Sequence, residues 1–124
     1  MPEERRRELV ELWMTTPEAP LGHDKSRTEV FPPPGSTSFQ IGMIPPDAGQ
    51  WHTSDTVDYE MILEGEIGLE LDEGMVTLAA GDCVVQRATR HRWVPTTDKP
   101  CRMLCVMVST LAPGTNGGDR YTLE

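Results

Sequence analysis

The sequence predicts an all-β fold, a sandwich or barrel of short antiparallel strands, on three observations. Apolar and polar residues alternate with a period of two over much of the chain, the repeat of a half-buried strand. Clusters of turn residues such as Pro45-Pro46-Asp47-Ala48-Gly49 and Asp72-Glu73-Gly74 interrupt that alternation at short intervals, which is the spacing of a sandwich or barrel. Glycine and proline number 11 each and aromatics are only 6%, a mix that suits many strands joined by tight turns.

The elements follow in order. Glu3 to Trp13 is expected to be a short helix, because Leu9, Val10 and Trp13 form an apolar stripe and Glu4 can pair with Arg7. Thr15-Thr16-Pro17 ends it, since a residue before proline avoids the helical basin. Glu18 to Lys25 is expected as loop and Ser26 to Phe31 as an edge strand, stopped by Pro32-Pro33-Pro34-Gly35. Phe39, Ile41 and Met43 alternate with Ser38, Gln40 and Gly42 in the next strand. Short strands are expected at Trp51 to Thr53 and Val57 to Leu63, with a turn at Glu64-Gly65. Ile67, Leu69 and Leu71 then alternate unbroken with Glu66, Gly68, Glu70 and Asp72. Asp72-Glu73-Gly74 is a hairpin turn. Met75 to Leu78, Cys83 to Arg87 and His91 to Val94 follow as short strands. Cys101 to Ser109 is apolar on both faces and should be central in its sheet. The expected organisation of residues 1–124 is one domain: helix and loop over 1–25, barrel over 26–110, and a flexible tail over 111–124.

The bulk properties bound the function. A chain of 124 residues has the length of one domain and buries about two-thirds of the surface its unfolded form exposes. Its formal charge is −9, from 20 acidic and 11 basic residues. That charge repels phosphate backbones and anionic lipid, so nucleic acid and membrane are poor partners. No apolar run approaches the roughly 20 residues of a membrane-spanning helix. Met1-Pro2-Glu3-Glu4-Arg5-Arg6-Arg7 is not followed by the apolar stretch of a secretory signal, and a cytoplasmic location is expected. Cys83, Cys101 and Cys105 fit no Cys-x-x-Cys spacing and sit in apolar runs. They are expected to be buried, reduced hydrophobes.

The chemistry gathers in Trp51-His52-Thr53-Ser54-Asp55-Thr56-Val57-Asp58-Tyr59-Glu60 and in Gly81-Asp82-Cys83-Val84-Val85-Gln86-Arg87-Ala88-Thr89-Arg90-His91-Arg92-Trp93. These stretches resemble the two motifs of the cupin superfamily, in its compact single-domain members. Gly65 takes the motif's glycine position, Asp58 the glutamate position and His52 the first histidine, with Ser54 where a second histidine would stand. His91 matches the histidine of the second motif. The resemblance covers roughly Phe39 to Val108. It implies a double-stranded β-helix, or jelly-roll barrel, and, by the habit of similar proteins, a homodimer. Ser26 to Phe31 and the apolar N-terminal stripe are the candidate contact elements.

A metal set of His52, Asp58, Glu60 and His91 is expected. Two histidines and a carboxylate suit a divalent ion, Fe, Mn, Ni or Zn, and leave coordination positions open. The alternative is a metal-free pocket with hydrogen-bonded histidines. Glu60 shares the strand face of Asp58, and a carboxylate among Met61, Ile62 and Leu63 is costly to bury without a partner. It can ligate the ion or act as a general acid or base with a raised pKa. Glu60 and His52 are the candidate catalytic residues. Trp51, Gln86, Arg87 and Trp93 are the candidate substrate contacts, arginine being the best carboxylate receptor through its bidentate fork. Tyr59 on the opposite face is expected to pack, and Asp55 to cap its own backbone.

The function expected is small-molecule tailoring: metal-assisted lyase, decarboxylase or cyclase chemistry on an organic acid or polyketide-like substrate. The alternatives are a ligand-binding cupin without catalysis and a metal-dependent dioxygenase.

Overall fold

The computed structural model describes residues 9–23, 32–46, 48–114 and 121–123. They form strands β1 (Leu9–Thr16), β2 (Ala19–His23), β3 (Thr37–Ile44), β4 (His52–Ser54), β5 (Thr56–Glu64), β6 (Glu66–Leu71), β7 (Gly74–Ala79), β8 (Cys83–Arg87), β9 (His91–Pro95), β10 (Cys101–Ser109) and β11 (Tyr121–Leu123). Two antiparallel sheets result, ordered β2-β1-β3-β10-β5-β8 and β11-β4-β9-β6-β7. From β4 to β10 the chain passes repeatedly from one sheet to the other, as in a jelly roll. β10 lies inside its sheet between β3 and β5, where its two apolar faces belong.

The N-terminal element differs from the expected helix. Leu9, Val10 and Trp13 lie in β1, opposite Gly42, Ile41 and Phe39 of β3, and the register slips between Glu11 and Trp13. A slip of that kind breaks strict alternation. It therefore gives β1 an apolar spacing that imitates a helical stripe, while the ladder of β3 supplies its hydrogen bonds. The Glu3 to Arg7 half of the expected helix lies outside the described residues.

Ala19–His23, expected as loop, is a strand that pairs with β1. The Ser26 to Phe31 segment lies outside the described residues. Within the expected tail, Tyr121–Leu123 pairs with β4, putting the end of the chain beside His52 and Ser54.

One end of the interior is apolar. Ile62, Ile67, Leu69, Leu78, Cys101 and Met103 form the core, with Ile44, Val84 and Trp93 packed against it. Cys101 and Cys105 are buried as expected, whereas Cys83 is exposed. It opens β8 opposite Met61, which is itself exposed, so both side chains point off the outer face. Tyr59, expected to pack, also lies on that face and is 52% exposed.

Gly65 turns β5 into β6 with φ +91°, and a Cβ there would stand 3.2 Å from the Pro100 carbonyl oxygen and 3.3 Å from the Cys101 Cα. Gly65→Ala is expected to cost about 1–3 kcal/mol through backbone strain and that crowding. Its urea midpoint should fall accordingly, and an unchanged midpoint would refute the assignment.

Candidate functional site

β5 carries the acidic half of the site. Its burial alternates, so Thr56, Asp58, Glu60 and Ile62 face inward and Tyr59 and Met61 outward. The register of the neighbouring strands then stacks inward residues in rows. Asp58 lies opposite Met107 of β10 and Gln86 of β8, and Glu60 opposite Cys105 and Val84. One row further along, Ile62 lies opposite Met103. The sheet thus grades from an apolar row at Ile62 to carboxyl rows at Glu60 and Asp58.

Both carboxyls are deeply buried, with Asp58 5% and Glu60 7% exposed. Thr56 donates its hydroxyl to Asp58 Oδ1 at 2.6 Å, and the Ser54 and Thr56 hydroxyls are 3.0 Å apart. Gln86 Nε2 donates to Glu60 Oε1 at 2.8 Å, and the Cys105 thiol donates to Glu60 Oε2 at 3.8 Å. Gln86 Oε1 is buried and has no hydrogen-bond partner among the described residues. The buried polar and charged groups described include no Lys or Arg, so no fixed cation offsets these carboxyls.

Burial therefore dominates their titration. Loss of water pushes Glu60 up to about 8, against the pull of Gln86 and with the help of nearby Asp58. Burial pushes Asp58 up to about 6, opposed by the Thr56 hydroxyl. The Cys105 thiol is held well above its ordinary range by burial and then by the Glu60 and Asp58 charges. Among the described residues, Asp58, Glu60 and Cys105 can bring one donor atom each within 4.8 Å of one another.

The imidazoles stand on the other sheet. His52 of β4 and His91 of β9 are directly paired, with ring centroids 4.1 Å apart. His91 is 3% exposed. Burial lowers its pKa to about 4, so the ring is neutral near pH 7. His91 Nδ1 lies 2.8 Å from the Thr89 carbonyl oxygen and His52 Nδ1 3.0 Å from that of Gln50. A carbonyl only accepts, so each Nδ1 carries a proton, and on the neutral His91 ring the lone pair sits on Nε2. That tautomer, held by a backbone carbonyl, is the one a metal-ligating histidine adopts.

The four residues expected to share an ion thus come in two pairs. Asp58 and Glu60 gather with Cys105, and neither histidine joins a three-donor group among the described residues. The donor chemistry of both pairs fits a divalent cation.

The expected substrate contacts separate in the same way. Gln86 faces inward and reaches Glu60. Trp93 is half-buried against the core, its ring 5.8 Å from that of His91. Arg87, next to Gln86 on β8, is exposed. Trp51 lies outside, under the guanidinium of Arg90 at 4.0 Å and near that of Arg92 at 5.1 Å. Those arginines pair with Asp72 and Glu70, an outer-face stack rather than a lining of the interior. The Asp55 backbone carbonyl accepts from the Thr110 amide at 2.9 Å, tying the start of β5 to the end of β10.

Cys105 is the site residue that sequence reasoning missed. Its alternation with Met103 and Met107 was visible, but not that this face looks inward opposite Glu60.

Comparison with known proteins agrees with the fold. The family model described as a cupin domain, Cupin_2, matches residues 40–107. A "Phomopsin biosynthesis cluster protein D" from Diaporthe leptostromiformis is 38% identical over 65 residues, 52% of this chain and 34% of that protein. A "Cupin-domain-containing oxidoreductase fogC" from Aspergillus ruber is 33% identical over 87 residues, 67% of this chain and 43% of that protein. The chain spans a third to about half the length of curated relatives it matches. In structure it is similar to a cupin 2 conserved barrel domain protein from Salinispora arenicola, with TM-score 0.57 and 18% identity over 86% of this chain and 78% of that one.

Proposed function

The chain belongs to the cupin family, and from that premise we propose that it is a small-molecule tailoring enzyme. Its chemistry is proton transfer of the lyase, decarboxylase or cyclase type, carried out in the barrel interior. One observation carries the reading: Glu60 is buried beside Asp58 with a pKa near 8, where it holds a proton at neutral pH and can still release it. A general acid or base works best when its pKa lies near the working pH. Gln86 donates the short bond to Oε1 of Glu60 and Cys105 only a long thiol contact to Oε2, so the exchangeable proton sits on Oε2. Asp58, whose carboxyl oxygen lies within 4.8 Å of Glu60's and which the Thr56 hydroxyl holds in place, is the group that can take it up or replace it. The names of the relatives, a biosynthesis cluster protein and an oxidoreductase, support a tailoring role.

A divalent metal is implied by the family resemblance, and His52 and His91 are the residues that would hold it through Nε2. When bound it supplies Lewis acidity toward a carbonyl or carboxylate oxygen. The oxidoreductase names favour a second reading, oxidative tailoring at a redox-active metal in the same place. Pairing of two copies belongs to this proposal as well.

The test is solvent deuterium incorporation, read by mass spectrometry, into a panel of enolisable ketones, β-keto acids and hydroxyaryl ketones. Wild-type protein is expected to label or convert at least one probe. Glu60→Gln, which keeps the acceptor for Gln86 but no transferable proton, should be slower by about 10²–10⁴-fold. Full activity in Glu60→Gln would overturn the assignment.

A further inference from the structure

We propose that Asp58, Glu60 and Cys105 form a second cation site, a carboxylate–thiolate site for a thiophilic divalent ion such as zinc or cobalt(II), with the Gln86 side-chain carbonyl beside it as an additional donor. The proposal is distinct from the histidine pair. It rests on the proton-transfer reading of Glu60 in one respect only, its consequence for activity.

The geometry is that of a small ion. Zinc–sulfur bonds of about 2.3 Å and zinc–oxygen bonds of about 2.0–2.2 Å at tetrahedral angles place neighbouring donors roughly 3.4–3.6 Å apart. Cys105 Sγ and Glu60 Oε2 are already 3.8 Å apart, and all three donor atoms fit within 4.8 Å. Cys105 stands directly opposite Glu60 in the ladder, and Asp58 lies two residues along on the same inward face. The arrangement is thus set by backbone register rather than by mobile side chains.

A second observation points to the same ion. Gln86 is 3% exposed, spends its amide nitrogen on Glu60, and leaves its carbonyl oxygen buried without a donor among the described residues. A buried acceptor without a partner costs free energy. So do two buried carboxyls with no Lys or Arg among the buried groups around them. A dication answers all three at once. A thiolate among oxygen donors favours zinc and cobalt over magnesium or calcium, which prefer oxygen alone.

Binding is a proton exchange. The ion replaces the Cys105 thiol proton and any carboxyl proton present, these pass to solvent, and no electron moves. An occupied site turns Glu60 from a proton donor into a ligand. Zinc should therefore suppress the deuterium exchange assigned to Glu60.

The test is anaerobic titration of chelator-stripped protein with cobalt(II) chloride. Wild type is expected to develop the near-ultraviolet thiolate-to-cobalt charge-transfer band. Cys105→Ser and Cys105→Ala should lose the band, with fold checked by circular dichroism, while Cys83→Ser and Cys101→Ser keep it. Cobalt bound by wild type without the band overturns this site and leaves the histidine site standing. A band that survives in Cys105→Ala also overturns it. Failure of wild type to bind cobalt at all refutes both metal sites, while the role of Glu60 is still judged by deuterium exchange without metal.

Discussion

Glu60→Gln is expected to stabilise the chelator-treated protein at high pH and to change it little at low pH. The ordinary value of this carboxyl is 4.5, and burial raises it to about 8. The folded state thus binds more protons than the unfolded state between those values. Stability linked to Glu60 is full below the unfolded value and is lost as pH rises through the folded one. A shift of that size corresponds to a few kcal/mol, at about 1.4 kcal/mol for each pKa unit. Glutamine has nothing to ionise and escapes the loss.

Asp58, raised from 3.8 to about 6, loses stability in the same direction over a lower window. His91 runs the other way. Its pKa falls from 6.5 to about 4, so its contribution is full above the unfolded value and is lost as pH falls toward the folded one. Urea unfolding of wild type and Glu60→Gln at about pH 5, 7 and 9 separates these contributions. An identical pH slope in the two proteins would show that Glu60 is not buried as described.

Ile62→Ala is expected to cost about 2–5 kcal/mol, the range for emptying a fully buried aliphatic position. Ile62 is 0% exposed and sits in the core cluster opposite Met103. Val85→Ala is the control. Val85 is 55% exposed on the outer face and should change stability by no more than about 0.5 kcal/mol. Chemical denaturation measures both, and equal costs would contradict the assignment of inner and outer faces.

The two experiments are linked. Ile62 lies two residues from Glu60 on the same inward face of β5. Its side chain helps keep water from the carboxyl. Ile62→Ala should therefore also bring the Glu60 pKa down toward its ordinary value, visible as a shallower loss of stability on the alkaline side.

Much of this was open to reading in the residues. The alternation through β3, β5 and β6, and the turns at Gly65 and Gly74, follow from side-chain period and turn chemistry, which are local. The inward direction of Asp58 and Glu60 followed from the same period once one of them was assigned. The errors fell where tertiary contacts override local pattern. β1 resembles a helical stripe because its register slips against β3. Cys83 looked buried because Val84 and Val85 flank it, but it stands at the start of an edge strand, facing off the sheet with Met61.

By itself the sequence determined the class of the fold, the succession of strands from β3 to β10 and the two stretches that hold the chemistry. The tertiary structure alone decided which donors meet. Period two says which residues share a face, but not which strand lies alongside or in what register. Pairing with β10 sets Cys105 against Glu60, and pairing of β4 with β9 sets His52 against His91. Those pairings join residues as distant in sequence as Thr56 and Ser109, and no local pattern encodes them.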